Sequence, residues 1–427
     1  MKRKIILTGI LAGMFLQPSF VQGNIADDVS AVSAVSGDLD SDGDFDVVDI
    51  VMMTGYLFGT EKTLDKGQCD FSGDGIVNIA DLCCMKEKLI LATTANSIYV
   101  TDTAELKEAL SQAKPGDDIV LAPGKYVYEG STPKGRLFVG EADGTEDKPI
   151  TLRSEDPNDP AVLSGIEVSK NYVLTILGDH WIVRDIVAEN AGKGIIVDNS
   201  CYTKIINCEV RNIGQEGIHL RDDSSYCIVE SCYVHDTGLT HPSYGEAVYV
   251  GSSKSTTGYS FNCDYNTIRN CRLGPNVTAE HVDVKEYTTG TIIEGCTFDG
   301  TGMSGENYAD SFVDMKGNDC ILRNNTGYRN GCTNVNRAFE MNRLVEGWGQ
   351  NAYIYNNKAY MDTPINSQGK KMYFLNSWNC TETVWNNYIA YEDGELISVD
   401  NPDDKWDYYN CNGITYGDSS IEETLGR

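Results

Sequence analysis

The sequence predicts an all-β solenoid, a parallel β-helix, preceded by a small α-helical calcium-binding domain. Three observations carry that prediction. Segments alternating apolar and polar residues recur along the chain, and Glu280-His281-Val282-Asp283-Val284-Lys285 aligns with Ser311-Phe312-Val313-Asp314-Met315-Lys316 at an offset of 31 residues. A second strand in each copy ends in a small polar corner, where Cys208, Cys232, Cys271 and Cys296 give way to Asn325, Asn357 and Asn387. Near the N-terminus an acidic loop occurs twice.

Residues 1–23 read as a secretory signal: Lys2, Arg3 and Lys4, an apolar run from Ile5 to Leu16, and Val21-Gln22-Gly23 as a cleavage site. No other apolar run is long enough to span a bilayer, so a secreted, extracellular, monomeric protein without a membrane partner is expected. Loss of those three cations takes the formal charge from −29 to −32. That argues against a nucleic-acid partner, and it means that a polyanionic substrate needs local cations to dock. Fourteen cysteines in an exported chain ordinarily suggest disulfides. The four in one column are read instead as small ladder residues with free thiols; pairing of the others is open.

The first acidic loop places Asp38, Asp40, Asp42, Asp46 and Asp49 at positions 1, 3, 5, 9 and 12, with Gly43 at 6. The second repeats it with Asp70, Ser72, Asp74, Asn78 and Asp81 around Gly75. Oxygen ligands at this spacing wrap Ca²⁺, and the glycine permits the turn. Apolar helices are expected from Ile50 to Leu57 and from Leu82 to Ile90. Residues 37–91 resemble a dockerin, the module that attaches enzymes to a cohesin-bearing scaffoldin in cellulosomes. The resemblance implies a cohesin partner recognised late in each loop, at Val47-Val48 and Ile79-Ala80.

A linker is expected at 92–97 and the β-helix domain over 98–427. A helix from Ala104 to Ala113, capped by Thr103, precedes a turn at Pro115-Gly116 and a strand from Ile119 to Ala122. This segment, with Lys148-Pro149-Ile150-Thr151-Leu152-Arg153, resembles the N-terminal cap of right-handed β-helix polysaccharide lyases. Coils are expected from about Val173 to about Tyr391, with the tail after Asn401 packed over the far end.

Alternation then assigns faces. Val282, Val284, Val313, Met315, Phe339 and Met341 face the core. One outward column reads His219, Tyr249, Asp283, Asp314, Glu340, Phe374; the next reads Arg221, Gly251, Lys285, Lys316, Asn342, Asn376. Asp283, Asp314 and Glu340, bordered by Glu280, are candidate Ca²⁺ ligands. Lys285 is favoured as a base, with Lys316 or Arg221 on developing negative charge; the lysine roles are interchangeable at this level. His219, Tyr249, His281, Asn342 and Phe374 are candidate substrate contacts. Trp348 and Trp378 either stack on sugar rings or pack under their own loops. Asp222-Asp223 read as a turn.

Such parts suit β-elimination of a uronate polymer, in which a base takes the C5 proton and the C4 oxygen leaves. Glu280 to Lys285 resembles the Glu-x-x-x-x-Lys strand of chondroitinase B-type and alginate lyases, which implies metal binding for Glu280 and the base role for Lys285. Asp310 to Lys316 is similar to a segment of a β-helix pectate lyase family. The dockerin resemblance adds an expectation of plant pectin as the acidic polysaccharide. Two alternatives stand beside the lyase: an inverting glycoside hydrolase using Asp283 and Asp314 or Asp314 and Glu340, and a non-catalytic glycan-binding β-helix.

Overall fold

The computed structural model describes residues 37–40, 45–60, 66–71, 75–94, 97–130, 132, 134–366, 369–400 and 408–425. The expected signal and the ligand positions Asp42, Ser72 and Asp74 lie outside them. The chain folds as two compact units, one up to Thr93 and one from Thr94.

The first unit holds α1 (Val47–Leu57), the short α2 (Lys66–Cys69) and α3 (Ile79–Thr94). Both long helices start three residues before their apolar runs, because the late loop residues also cap them. Asp46 Oδ1 accepts the Val48 N–H at 2.6 Å while Asp49 Oδ2 accepts the Asp46 N–H at 2.7 Å, a capping box. The second loop repeats the device: Asn78 Oδ1 accepts from Ala80 at 2.7 Å, and Asp81 Oδ2 accepts from Asn78 at 2.8 Å. Ile50, Met53, Cys69, Leu82 and Met85 form the core. Val47, Val48, Ile79 and Ala80 are exposed. Helix α3 runs on to Thr94, over the first residues assigned to a linker.

The second unit is a right-handed parallel β-helix of three sheets with 12, 10 and 11 strands. Each coil visits them in turn, as in Lys193–Asp198, Lys204–Ile206 and Glu209–Ile213 before Ile218–Arg221 opens the next. Strands begin at Ser97, well before Val173. Helix α4 (Thr103–Gln112) is capped by Asp102 rather than Thr103, with Asp102 Oδ1 accepting from Ala104 and Glu105. Tyr408–Tyr409 and Ile414–Tyr416 extend two sheets. Beyond them Ile421 and Leu425 pack on Ile292, Ile321, Tyr355 and Trp385, on the outer face of the 12-stranded sheet. The tail therefore lengthens the solenoid and folds back along its side.

The polar corners explain the ladder. Asn207, Ser231, Asn270, Gly295, Asn324, Asn356 and Asn386 all take positive φ, a conformation that asparagine and glycine tolerate. Each turns the following residue inward, which builds the buried column of four cysteines and three asparagines. All fourteen cysteines are free thiols. Cys232 and Cys271 donate across coils to the carbonyls of Ile205 and Val229, both at 3.5 Å. Asn357 is fully engaged: Nδ2 donates to Leu322 O at 2.8 Å and Asn387 Oδ1 at 3.1 Å, and Oδ1 accepts the Asn325 N–H at 3.0 Å.

Removing that amide strands a buried carbonyl and a buried N–H, each costing about 1–3 kcal/mol. Asn357→Ala lowers the melting temperature by several degrees in calorimetry, whereas Asn357→Cys, the residue of the upstream column, costs less. Equal melting of both variants and wild type contradicts this role for the ladder.

Candidate active site

The 10-stranded sheet carries the site. Its register pairs His219 with Tyr249, Tyr249 with Asp283, Asp283 with Asp314, and Asp314 with Glu340, as the alternation predicts. The next coil differs: Glu340 pairs with Asn376 and Asn342 with Trp378. Phe374 therefore leaves the outward column. It is wholly buried, its ring 5.2 Å from that of Phe339.

The reason is a break in parity where the chain turns into the sheet. Glu280 and Arg337 project into the groove, while their successors His281 and Ala338 turn inward and are buried, as Phe312 and Phe374 are. His281 donates Nε2–H to Asp299 O at 2.8 Å, with its ring 5.8 Å from Phe298 and 5.7 Å from Phe312. Neither His281 nor Phe374 is a substrate contact.

Asp283 holds both lysines: its Oδ2 lies 2.5 Å from Lys285 Nζ and its Oδ1 2.7 Å from Lys316 Nζ. Lys316 also reaches Asp314 at 2.6 Å. Burial works against both ammonium groups. The Asp283 charge outweighs it, aided by Glu246 at Lys285 and by Asp314 at Lys316, and raises both above the ordinary lysine range. The two stacked like charges thus do not depress each other below it.

Among the described residues the carboxylates that converge are Glu246, Glu280 and Asp283, not the column of Asp283, Asp314 and Glu340. Asp314 is taken by Lys316. Glu340 is taken by Arg337 at 2.7 Å and Asn376 at 2.9 Å, and Arg337 reaches Asp310 at 2.7 Å. Asn342 Nδ2 lies 3.4 Å from Asp314 and lines the groove. In the converging trio Glu246 Oε2 has no hydrogen-bond partner. Burial, then Glu216 and Asp283, push Glu246 up to about 8; burial, then Asp283, push Glu280 well above the usual carboxylate range. Asp283 is itself shared with both lysines, so the oxygens of Glu246 and Glu280, one of them orphaned, are what fit a hard dication such as Ca²⁺ beside it. In the first unit Asp38, Asp40 and Asp49 converge likewise, while Asp46 turns its Oδ1 to the helix. In the second loop Asp70 accepts the Gly75 N–H at 2.8 Å.

Two cavities meet at Lys285. One, of about 580 Å³, runs from Lys285 past Tyr249 and His219 to Arg221; the other, of about 400 Å³, runs past Lys316 to Arg337 and Asn342. Beside Lys285, Gly251 takes a φ of +89°, which disfavours a side chain, and a Cβ there would meet Thr288 at 2.7 Å. Arg221 sits two coils from Lys285, roughly 10 Å away. It is paired with Asp198 and covered by the Tyr259 ring at 4.2 Å. His219 donates Nε2–H to Gly251 O at 2.8 Å; burial, then Lys193 and Arg221, hold its pKa well below the usual histidine range, so it is neutral. The Tyr249 ring lies 4.8 Å from Lys285 Nζ, and burial, then Asp283, push its hydroxyl well above the ordinary tyrosine range.

Sequence reasoning missed Glu246 and Arg337. A signal existed: Glu216-Gly217-Ile218, Glu246-Ala247-Val248 and Glu280-His281-Val282 place an acid two residues before each strand core. Arg337-Ala338-Phe339 puts the opposite charge at the same place. Asp222 and Asp223 do form a turn, with Asp222 accepting the Ser260 N–H at 2.8 Å. The Asp283 and Asp314 oxygens that share Lys316 are at most about 5.3 Å apart, the sum of 2.7 and 2.6 Å. An inverting hydrolase needs about 6.5–9.5 Å between its carboxyls, and these two are occupied by one ammonium.

The second unit is thus a three-sheet solenoid that carries a groove of cations and buried acids on one sheet. Residues 92–277 match the Pel9A-like right-handed β-helix region, and residues 36–90 match the dockerin type I domain. The alginate lyase of Paenibacillus sp. str. FPU-7 is 39% identical, with a TM-score of 0.66, over 75% of this chain and 99% of that one. The pectate lyase Pel9A shares 16% identity over 74% of this chain and 78% of that one, with a TM-score of 0.49. No curated protein matches the chain. On the alginate lyase match, the chain belongs to the β-helix polysaccharide lyases, and its N-terminal unit is a dockerin type I domain.

One titration follows from this geometry. Burial lowers the His281 pKa from 6.5 to about 4. The unfolded chain then binds the extra proton first, so wild-type stability is complete above pH 6.5 and falls as pH drops toward 4. Relative to His281→Phe, chemical denaturation at pH 4.5 and 7.5 shows wild type losing roughly 2–3 kcal/mol. Parallel pH profiles contradict the buried neutral imidazole.

Proposed function

We propose that this chain is a secreted, cellulosome-borne lyase that cleaves an alginate-type polyuronate by β-elimination. The observation that carries the reading is the 39% identity spanning 99% of an alginate lyase. The expectation of pectin rested on the dockerin alone; a full-length catalytic relative weighs more.

The chemistry assigns roles to the groove. Lys285 stands where the two cavities join, so the scissile bond lies over it. Paired with Asp283 it is an ammonium, so it first gives a proton to solvent, and the free amine then takes the C5 proton. Lys316, shared by Asp283 and Asp314, stays charged and faces the electron density that builds on the sugar carboxylate. The C4–O bond breaks, C4=C5 forms, and the leaving oxygen takes a proton from the Tyr249 hydroxyl, which burial keeps protonated. His219 props the Tyr249 ring edge-on at 4.4 Å. Arg221 and Asn342 hold sugars on either side. Glu246 and Glu280, beside Asp283, would hold Ca²⁺, which supplies positive charge beside the substrate carboxylate. The dockerin, with Ca²⁺ on Asp38, Asp40 and Asp49, would seat a cohesin through its exposed Val47-Val48 and Ile79-Ala80.

The test is ultraviolet absorbance of the unsaturated uronate end, with alginate and polygalacturonate run side by side in Ca²⁺. We expect at least about a tenfold preference for alginate, and loss of some 10²–10⁴-fold in kcat for Lys285→Ala. Faster turnover of polygalacturonate transfers the reading to pectate. New reducing ends without absorbance remove the lyase chemistry altogether.

A further inference from the structure

The floor of the groove changes character past Asn342. From Asp283 to Asn342 the outward side chains of the Asp283 and Lys285 columns are charged or amide-bearing. In the next coil the register sets Trp378 beside Asn342 and Tyr373 beside Arg337. One coil further Tyr409 pairs with Asn376, and its ring stacks on Tyr373 at 4.7 Å. Trp378 is 54% exposed, and among the described residues no ring or cation stacks on it. A tryptophan rising from a β-sheet floor into water, with no ring stacked on it, leaves roughly half of its surface uncovered. Trp348, by contrast, packs edge-on against Tyr287 at 5.5 Å.

The place of this patch is as informative as its exposure. Trp378 continues the column of Lys285, Lys316 and Asn342, so it stands three coils beyond Lys285, roughly 14 Å along the axis. A 1,4-linked pyranose chain advances by about one coil spacing per residue, so a chain held over Lys285 reaches Trp378 a few residues on. What it meets there is the exposed indole of Trp378. A pyranose presents a face of C–H groups that complements such a ring.

We propose that Trp378 forms a distal sugar-stacking subsite, which takes the pyranose face of a polyuronate residue a few units from the cleavage point. The proposal rests on the lyase reading for the polymer's chemistry. It makes the groove longer than its charged part and the enzyme selective for chain length.

Two readouts on the full chain test it. In native gels containing alginate, Trp378→Ala is retarded roughly three- to tenfold less than wild type, while Trp378→Phe, which keeps a ring, is retarded as wild type is. In initial rates, Trp378→Ala raises KM for the polymer by a similar factor with kcat unchanged, and leaves trimer and tetramer kinetics alone. Trp378→Leu, apolar but without a ring, gives the same pattern and serves if Trp378→Ala melts early. Retardation unchanged in the Ala and Leu variants overturns the subsite. So does a KM shift of equal size for short and long substrates, or loss of retardation in the Phe variant. Gel retardation needs no turnover, so a chain that binds alginate through Trp378 yet never cleaves it fails the lyase reading and not this one.

Discussion

Every coil of this solenoid must lay its strands one hydrogen-bond spacing from those of the coil before. That constraint turns sequence period into columns. Valines stack on valines inside, and whatever stands one residue away stacks on its own kind outside. Charges repeated for this reason meet at strand spacing, with water largely excluded from the groove floor. Such an arrangement holds only if opposite charges are interleaved. Asp283 between Lys285 and Lys316 is the interleaving, and most of the site's electrostatics derive from it.

The same constraint explains why the site is polar on one sheet and inert on the others. Outward ion pairs elsewhere, such as Arg323 with Glu294 and Arg211 with Glu189, link acid to base across neighbouring coils and leave the pair partly exposed. Surface pairs of that kind contribute little. On the 10-stranded sheet, loops rising on both sides of the groove, at Ser253 and at Asn307, wall the charges in. The groups there cannot relax into water, and Glu246 and Glu280 are held against their preferred ionisation. Three acids converge at one point there, beside two ammonium groups.

Much of this is legible in the chain. Alternation marks the core face at Val282, Val313 and Phe339, and repetition aligns Tyr249, Asp283, Asp314 and Glu340 correctly. The duplicated loop marks Asp38, Asp40 and Asp49, and the corner asparagines mark the turns. What fails does so at places where period two stops. His281 and Glu280 exchange faces at the sheet entrance, because the corner breaks parity, so strict alternation places a core imidazole in the groove. Phe374 faces the core because parity breaks in the same way where its strand begins, and no local pattern states the register across the 36 residues from Asn342 to Trp378. The alignment of Trp378 with Asn342 is hidden for the same reason. Glu246 is visible as a repeat but lies outside the strand core. Which acid takes which lysine depends on side-chain reach across coils, which no one-dimensional pattern encodes.

The central claim is that the groove around Lys285 breaks the polymer by elimination and not by addition of water. The most direct measurement is mass spectrometry of alginate products made in heavy-oxygen water. Elimination predicts products lighter by one water than hydrolytic ones, with no heavy oxygen in a newly formed glycosidic end beyond that from anomeric exchange in a no-enzyme control. Stoichiometric incorporation of one heavy oxygen per cut, in products of full hydrolytic mass, contradicts the account.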